Sequence, residues 1–307
     1  MTGILLDAKL FRAFSAGHFA LRLDSNNASD FTMLADADGG RIFADVVSVF
    51  EGGLHFPRKH LGFPKYEAFE VPIGVAASTG LFNWVAASWG ASPDARDGAV
   101  LKVDANFNIK SEVGFSGALV VETEIPALDA ASKEAGNLTV RFQPEFIDVK
   151  PAAGKLSLIQ AKQKLWRTSN FRLQIDSLDC KKVSRIEAFT VKRNVATLVS
   201  GSGEVTLTPE TVEFPDLKVS LSPTSAATWF DWHESFVVNG NNGDSFERNG
   251  TISFLSNDFK TELSRIELHN LGIISLASNP GDASSGIPPV VADLYCEEMV
   301  LAPGLNS

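Results

Sequence analysis

His233 and Glu234 open as the helix of a zinc metalloprotease opens, with a histidine ligand followed by the glutamate that would act as general base. That chemistry needs a second histidine four residues after the first, on the same helix face, and position 237 is valine. The stretch DADGG, from Asp36 to Gly40, begins like a calcium loop but lacks the glycine at its sixth position and the glutamate at its twelfth, so it reads as a hairpin turn. Gly201–Gly203 (GSG) is not followed by the Lys-Ser or Lys-Thr pair of a phosphate loop. With five histidines in the chain, no serine, histidine and aspartate stand in a nucleophile-elbow context. Cys180 and Cys296 are the only cysteines, in no metal-ligand spacing, and are expected to be reduced packing residues. The sequence therefore predicts no enzyme, no catalytic residue, no metal and no cofactor.

What the chain offers instead is a basic cluster, Arg58, Lys59 and His60, on an otherwise acidic protein of net charge −10. Residues 1–155 carry 14 basic and 19 acidic groups, which leaves −5 for each half of the 307. An even negative charge argues against a nucleic-acid-binding arm, because phosphate binding requires clustered Lys and Arg. The hydrophobic fraction of 44%, with 22 Phe, suits a β-rich globular chain of two domains of about 150 residues. The N-terminal MTGILLDAKLFRAFSAG has no signal-peptide core, and no run approaches the ~18 apolar residues of a membrane span. A cytosolic origin is the expectation, so the sequons at Asn27, Asn137 and Asn249 are read as chance.

An internal repeat organises the elements. FALRLDS (Phe19 to Ser25) and FRLQIDS (Phe171 to Ser177) alternate apolar and polar at strand period, 152 residues apart. A second strand follows, RIFADVVSVF from Arg41 in the first half and RIEAFTVKR from Arg185 in the second, then a long connection in each. YEAFEVPIG from Tyr66 overlays FPDLKVSLS from Phe214, and in the same frame Phe82 falls on Phe230 and Trp84 on Trp232. Two more strands follow in each half, with turns expected near Asn106, Asn249 and Asn257, and each half closes on a last strand, from Leu138 and from Val290. Two tandem domains are predicted, 1–155 and 156–307, joined across roughly Lys150 to Thr168.

Each half carries one helix. Ser78 or Thr79 caps the first, Leu81, Phe82, Val85 and Trp89 share a face, and Gly90 suits its end; Trp229, Phe230, His233 and Phe236 form the matching stripe. Phe82, Trp84, Phe230 and Trp232 are the expected packing anchors on the sheet.

The residues EGG (Glu51, Gly52, Gly53), RKHLGFPKY (Arg58 to Tyr66), GVAASTGLFNW (Gly74 to Trp84) and IPALDAASKEAGNLTV (Ile125 to Val140) give residues 40–150 a run that resembles the contractile-tail tube proteins of myophages and related injection systems. The second half is similar through FPDLKVSLSPTSAATWFDW, but its connection, NVATLVSGSGEVTLTPETVE, lacks the EGG and the basic cluster, and ASNPGDASSGIPP departs from the LDAS-type turn. The resemblance implies a mainly β chain of two tandem β-sandwich or barrel domains, each with a flanking helix and a long extended loop. It further implies a structural tube protein whose trimers form pseudo-hexameric rings stacked into a conduit, with DNA or protein passing through without specific binding. Partners would be copies of itself, sheath, and baseplate or terminator proteins, with no membrane, in a virion tail or injection particle assembled in the host cytoplasm. A baseplate hub or tail-end adaptor ring of the same fold is the near alternative, and a tandem β-sandwich binding a surface or carbohydrate is the alternative of another class.

The connection from Ser48 to Tyr66 is the expected contact element between subunits or rings. Glycines at 52, 53 and 62 and prolines at 57 and 64 predict an ordered projecting arm. Glu51, Gly52, Gly53, Arg58, Lys59, His60, Phe63 and Tyr66 are its expected contact residues. Leu54, Phe56, Leu61 and Phe63 give it apolar groups that a merely solvated loop has little reason to display together.

Overall fold

The computed structural model describes residues 18–24, 30–75, 78–151, 154–156, 166–278 and 288–304. The N-terminal segment, the Asn27 sequon and the centres of the 150–168 connection and the 277–289 turn lie outside the described residues. Along the first half run β1 (His18–Leu23), β2 (Asp30–Leu34), β3 (Asp38–Gly39), β4 (Ile42–Val49), β5 (Arg58–Tyr66) and β6 (Phe69–Ile73), then helix α1 (Thr79–Trp89). After it come β7 (Arg96–Val103), β8 (Ile109–Ile125), β9 (Leu128–Asp129), β10 (Leu138–Gln143) and β11 (Phe146–Lys150). The second half runs β12 (Phe171–Ile175), β13 (Val183–Ile186), β14 (Phe189–Val199), β15 (Val205–Glu213), β16 (Leu217–Leu221), α2 (Ala227–His233), β17 (Arg248–Leu255), β18 (Glu262–Ser278) and β19 (Val290–Pro303).

The chain is mainly β, and its strands pair antiparallel. One sheet follows the order β2-β1-β7-β8-β10-β6-β3, and another the order β12-β17-β18-β19-β16-β13-β9. Strand alternation explains the burial: in β6 Phe69, Val71 and Ile73 are buried, and in β10 Leu138, Val140 and Phe142 are buried opposite them.

The second half repeats the register of the first. Leu21 faces Val100, and 152 residues on Leu173 faces Ile252. Val140 faces Val71, and Ala292 faces Val219, offsets of 152 and 148. Gly114 faces Ala99 and Glu267 faces Thr251, offsets of 153 and 152. Even an irregularity recurs: the hairpin β4–β5 shifts register between Ala44 and Val46, and β14–β15 shifts between Arg193 and Val195. This register corrects the expected overlay of Arg41 on Arg185. Phe43 faces Lys65 as Lys192 faces Glu213, so β4 corresponds to β14 at an offset of 149, and Arg185 instead lies in β13. The shared Arg-Ile dipeptide misaligned two strands that a short extra strand separates.

The halves also exchange strands. β14 pairs with β8 of the first half, and β9 pairs with β13 of the second, so each sheet is completed by the other half. Among the described residues one buried apolar cluster spans both halves, from Leu21 through Trp84 and Phe142 to Trp229, Phe254 and Leu301, and a smaller one gathers Ala20, Ala99, Leu101, Val103 and Leu156.

Helix α1 begins at Ser78, whose side chain accepts from the Leu81 N–H, while Asp30 on β2 accepts from the Gly80 N–H at 2.9 Å. Its buried face is Leu81, Trp84, Val85, Ser88 and Trp89, with Phe82 only partly covered. In the second half Trp229, Trp232 and Phe236 are buried, and Phe230 points outward at 47% exposure. Packing follows the three-to-four spacing 229, 232, 236, which leaves Phe230 off the buried stripe. Past α2 the chain continues as a π-helical turn over Glu234–Val238.

Two expected turns are otherwise. Asp38–Gly39 is a short strand on β6, with Asp36 and Asp38 each bonding the N–H of the next residue. Asn249 lies inside β17; Gly250 serves close strand approach there, since a Cβ on it would meet the Gln174 carbonyl oxygen at 2.7 Å. The turn at Asn257 is present and is closed by Asp258, which accepts from the N–H groups of Lys260 and Thr261.

Candidate assembly interface

The strand expected from Arg41 to Phe50 is present as β4, and the connection after it, expected as an extended loop, forms its partner β5, so the two make a hairpin that pairs with no other strand among the described residues. Strand periodicity did not reveal β5 because every residue from Arg58 to Lys65 is exposed. Alternation in sequence marks half-burial, and this hairpin is unburied on both faces. It displays Ile42, Phe43, Val46, Val47, Val49, Leu54, Phe56, Leu61 and Phe63 to the outside, with Phe50 81% and Leu61 74% exposed.

Local structure holds the hairpin in shape. Gly53 adopts φ +94° at the tip, where the Leu54 N–H donates to the Glu51 carbonyl oxygen at 3.3 Å, and no atom would obstruct a side chain at Gly52 or Gly53. Arg58 pairs with Glu51 at 2.8 Å and Lys65 with Asp45 at 2.5 Å. Lys59 and His60 form no ion pair among the described residues. At the base Tyr66 meets the Phe146 ring edge-on at 5.5 Å, and its carbonyl oxygen accepts from the Gln143 side chain at 2.9 Å. The contact residues named from sequence thus share one element, with Tyr66 at its root and Glu51 to Gly53 at its tip.

The corresponding hairpin of the second half, β14–β15, is docked on the first half. Phe189 faces Ile125, Val191 faces Thr123 and Lys192 faces Glu122 along the edge of β8. Buried Arg193 donates to the Ser88 carbonyl oxygen at 3.0 and 2.9 Å, to the Gly90 carbonyl oxygen, and to the Glu210 carbonyl oxygen at 2.5 Å. It thereby satisfies the C-terminal carbonyls that α1 leaves open, and burial lowers its guanidinium pKa from the ordinary value. Glu145, in the break between β10 and β11, accepts from the Leu207 N–H at 2.7 Å. Lys192 and Glu122 add a 3.6 Å ion pair. The tip reaches β5: a Cβ on Gly203 would lie 2.4 Å from the Phe63 ring.

Sequence reasoning missed Arg193 and Glu145. A signal for Arg193 was present, since it continues the buried phase of Phe189 and Val191 in an alternating strand and so had to be buried with partners. Glu145 carries no such signal.

The helix anchors are placed by their indoles. Trp84 Nε1 donates to the Asp94 carbonyl oxygen at 2.8 Å and Trp89 Nε1 to the Thr123 hydroxyl at 3.3 Å. Trp232 Nε1 is buried without a partner among the described residues, with the Arg248 guanidinium 5.0 Å above its ring. His233 and Glu234 sit at the end of α2, and no group of three or more His, Cys, Asp or Glu among the described residues is arranged to hold a metal. Gly201–Gly203 form the turn of β14–β15, where the Gly203 N–H donates to the Ser200 carbonyl oxygen at 2.9 Å. Cys180 and Cys296 are free thiols pushed up to about 11 by burial, so neither is a ready nucleophile. No helix among the described residues is long and apolar enough to cross a membrane.

No family model matches the chain, and no curated protein matches it. Among solved structures it is similar to a chain of the sheath-tube complex of PVC, an extracellular contractile injection system, in the extended state. Identity there is 17%, with 43% of this chain and 88% of that one covered, at a TM-score of 0.35. It is also similar to the tube-terminating cap of the anti-feeding prophage, at 15% identity over 49% of this chain and 95% of that one, TM-score 0.32. A third is the sheath/tube terminator of the PVC system in the extended state, at 18% identity over 48% of this chain and 97% of that one, TM-score 0.31.

Proposed function

We propose that this chain is a structural ring subunit of a contractile-tail or injection-system tube, built from two tandem tube-like units, 1–155 and 156–307. One observation carries the reading: the two halves repeat one register, yet only one of the two equivalent hairpins is covered. β14–β15 lies on β8, whereas β4–β5 presents an apolar surface on both faces with no strand beside it among the described residues. A surface of that kind marks a site that another protein covers. Repeating the internal contact from chain to chain is a heterologous association, which closes into a ring when its rotation permits. Three chains then supply six units, the number implied by the sequence resemblance.

In this reading the hairpin residues Glu51 to Gly53, Arg58 to His60, Phe63 and Tyr66 serve contact between subunits or stacked rings, and sheath, baseplate or terminator proteins are the outer partners. The lumen passes DNA or protein without specific binding, and the assembly resides in a virion tail or injection particle formed in the host cytoplasm. The chain is not an enzyme and uses no cofactor. Mass measurement and negative-stain imaging of the purified protein test this: trimeric rings or tubes are expected. A stable monomer at tens of micromolar would instead favour a surface-binding module.

A further inference from the structure

The strand edge in the second half that corresponds to the β14 site on β8 carries no partner strand among the described residues. β8 pairs with β7 up to Ala118, and β14 then takes the same edge at Glu122 to Ile125. β18 pairs with β17 up to Leu271, and beyond that no strand lies on this edge among the described residues. Its other edge is fully used by β19, with Ser275 facing Asp293, Leu276 facing Ala292 and Ser278 facing Val290. The residues around the first of these edges are less covered than their counterparts: Val237 is exposed where Trp89 is buried, and Leu276 is half-buried where Thr123 is buried.

We infer that this edge, Ser275 to Ser278, is the acceptor for the β4–β5 hairpin of a second copy of the chain, in the register that β14 uses on β8. The inference rests on the ring-subunit reading and adds residue pairing to it. Thr123 faces Val140 as Leu276 faces Ala292, so β8 maps to β18 at 153; β14 maps back to β4 at 149. Val191 opposite Thr123 becomes Ile42 opposite Leu276 of the neighbour, and Lys192 opposite Glu122 becomes Phe43 opposite Ser275. Leu207, whose N–H is held by Glu145, becomes Lys59 beside Glu297, which is exposed and accepts from the Asn270 side chain at 2.8 Å.

The two contacts share geometry and differ in chemistry. Arg193 corresponds to Ala44, and the Lys192–Glu122 ion pair to Phe43 and Ser275, so the strand pairing within a chain is ionic and clamped, while that between chains is uncharged and leaves Lys59 and Glu297 as its charged pair. Ala44 cannot cap α1, and β14–β15 already occupies the first half. A first-half hairpin is therefore directed to a second half, which makes the halves alternate around the assembly.

Paired cysteines test the register in the full chain: Ile42→Cys with Leu276→Cys, and separately Phe43→Cys with Ser275→Cys, oxidised with copper phenanthroline. Directly opposed antiparallel residues place Cβ atoms about 4.5–5.5 Å apart, close enough for a disulfide after small adjustment. Both pairs are expected to give covalent multimers on non-reducing gels, each single variant to stay monomeric, and the off-register pair Val47→Cys with Leu276→Cys to fall at least tenfold lower. Circular dichroism selects folded variants, and the proposal stands or falls on whichever in-register pair folds. Loss of fold in both pairs moves the measurement to lysine cross-linking of the unmodified protein with mass spectrometry, where absence of a link from Lys59 or Lys65 of one copy to Lys218 or Lys260 of another overturns it. Rings on the grid without the in-register disulfide, a faster-migrating monomer closed within one chain, or equal off-register yield overturns the register and leaves the ring reading standing. A monomer by mass overturns both.

Discussion

Arg193 and Ser88, 105 residues apart in sequence, are joined by two hydrogen bonds from one guanidinium to one carbonyl oxygen, at 3.0 and 2.9 Å. The bond joins a strand of the second half to the last turn of the helix in the first, so the clamp and the strand pairing of β14 on β8 act on the same contact. A hairpin held both by backbone pairing and by a buried guanidinium belongs to the chain's stable structure. Its counterpart β4–β5 has neither restraint among the described residues.

Replacing Arg193 by Met leaves the carbonyl oxygens of Ser88, Gly90 and Glu210 without their donor, at an expected cost of about 2–3 kcal/mol in unfolding free energy. Arg193→Lys should recover less than half, because an ammonium cannot bridge several carbonyls as a planar fork does. Urea unfolding of the three proteins decides it; a loss below about 0.5 kcal/mol for the Met variant would mean that the clamp is redundant with β14 pairing.

The two equivalent tryptophans should respond differently to loss of the indole N–H. Trp84 Nε1 donates to the Asp94 carbonyl oxygen at 2.8 Å, whereas Trp232 Nε1 is buried without a partner among the described residues. Trp84→Phe is expected to cost about 1 kcal/mol more than Trp232→Phe, since only the first removes a hydrogen bond that the indole makes. Equal losses in parallel melts would show that packing volume alone sets both.

Strands whose two faces differ in burial were legible in the sequence, as were the helices: β1, β6, β10 and β12 alternate, and Ser78 and Gly90 bracket α1. The returning strand of each hairpin was not, for a physical reason. β5 is exposed throughout and most of β15 is exposed, so neither needs the period-two pattern by which strands announce themselves. The strand exchange between halves was equally hidden, because Phe189 to Lys192 carry nothing that says whose edge they join. Trp84 could be named as an anchor because both halves repeat it, while Phe230, repeated equally, faces outward where Trp229 takes the buried place.

The turn at Asp258 should make part of the stability depend on acid. Hydrogen bonds from the N–H groups of Thr261 and Lys260 and from the Thr261 hydroxyl hold its carboxyl down to about 2. An unfolded aspartate titrates near 3.9. A depressed folded pKa stabilises above the unfolded value and loses that contribution as pH falls toward the folded one. The melting temperature of Asp258→Asn should thus lie below that of the unmodified protein at pH 6, and the gap should close between about pH 4 and pH 2. A gap unchanged at the lowest pH that still gives a folded baseline would assign the turn's stability to shape instead of charge.

Lys59 and Glu297 give the sharpest test of contact between chains. In the register repeated from β14–β15, Lys59 of one copy lies at the place of Leu207, whose N–H meets the Glu145 carboxylate, and Glu297 of the next copy stands where Glu145 does. Lys59 makes no ion pair within its own chain among the described residues, so reversing its charge should leave the monomer's melting temperature within about 1 °C. Placing a second carboxylate against Glu297 costs on the order of several kcal/mol in a desolvated contact, which is more than tenfold in association. Lys59→Glu should therefore lower the assembled fraction by at least tenfold in sedimentation velocity, and adding Glu297→Lys should restore it. The strand pairs Ile42 with Leu276 and Phe43 with Ser275 carry no charge, so the salt dependence of the unmodified assembly between 0.05 and roughly 0.5 M should come from Lys59 and Glu297. Assembly that survives Lys59→Glu, or that the double exchange fails to restore, would place the basic cluster away from Glu297 and move the hairpin's contact to stacked rings.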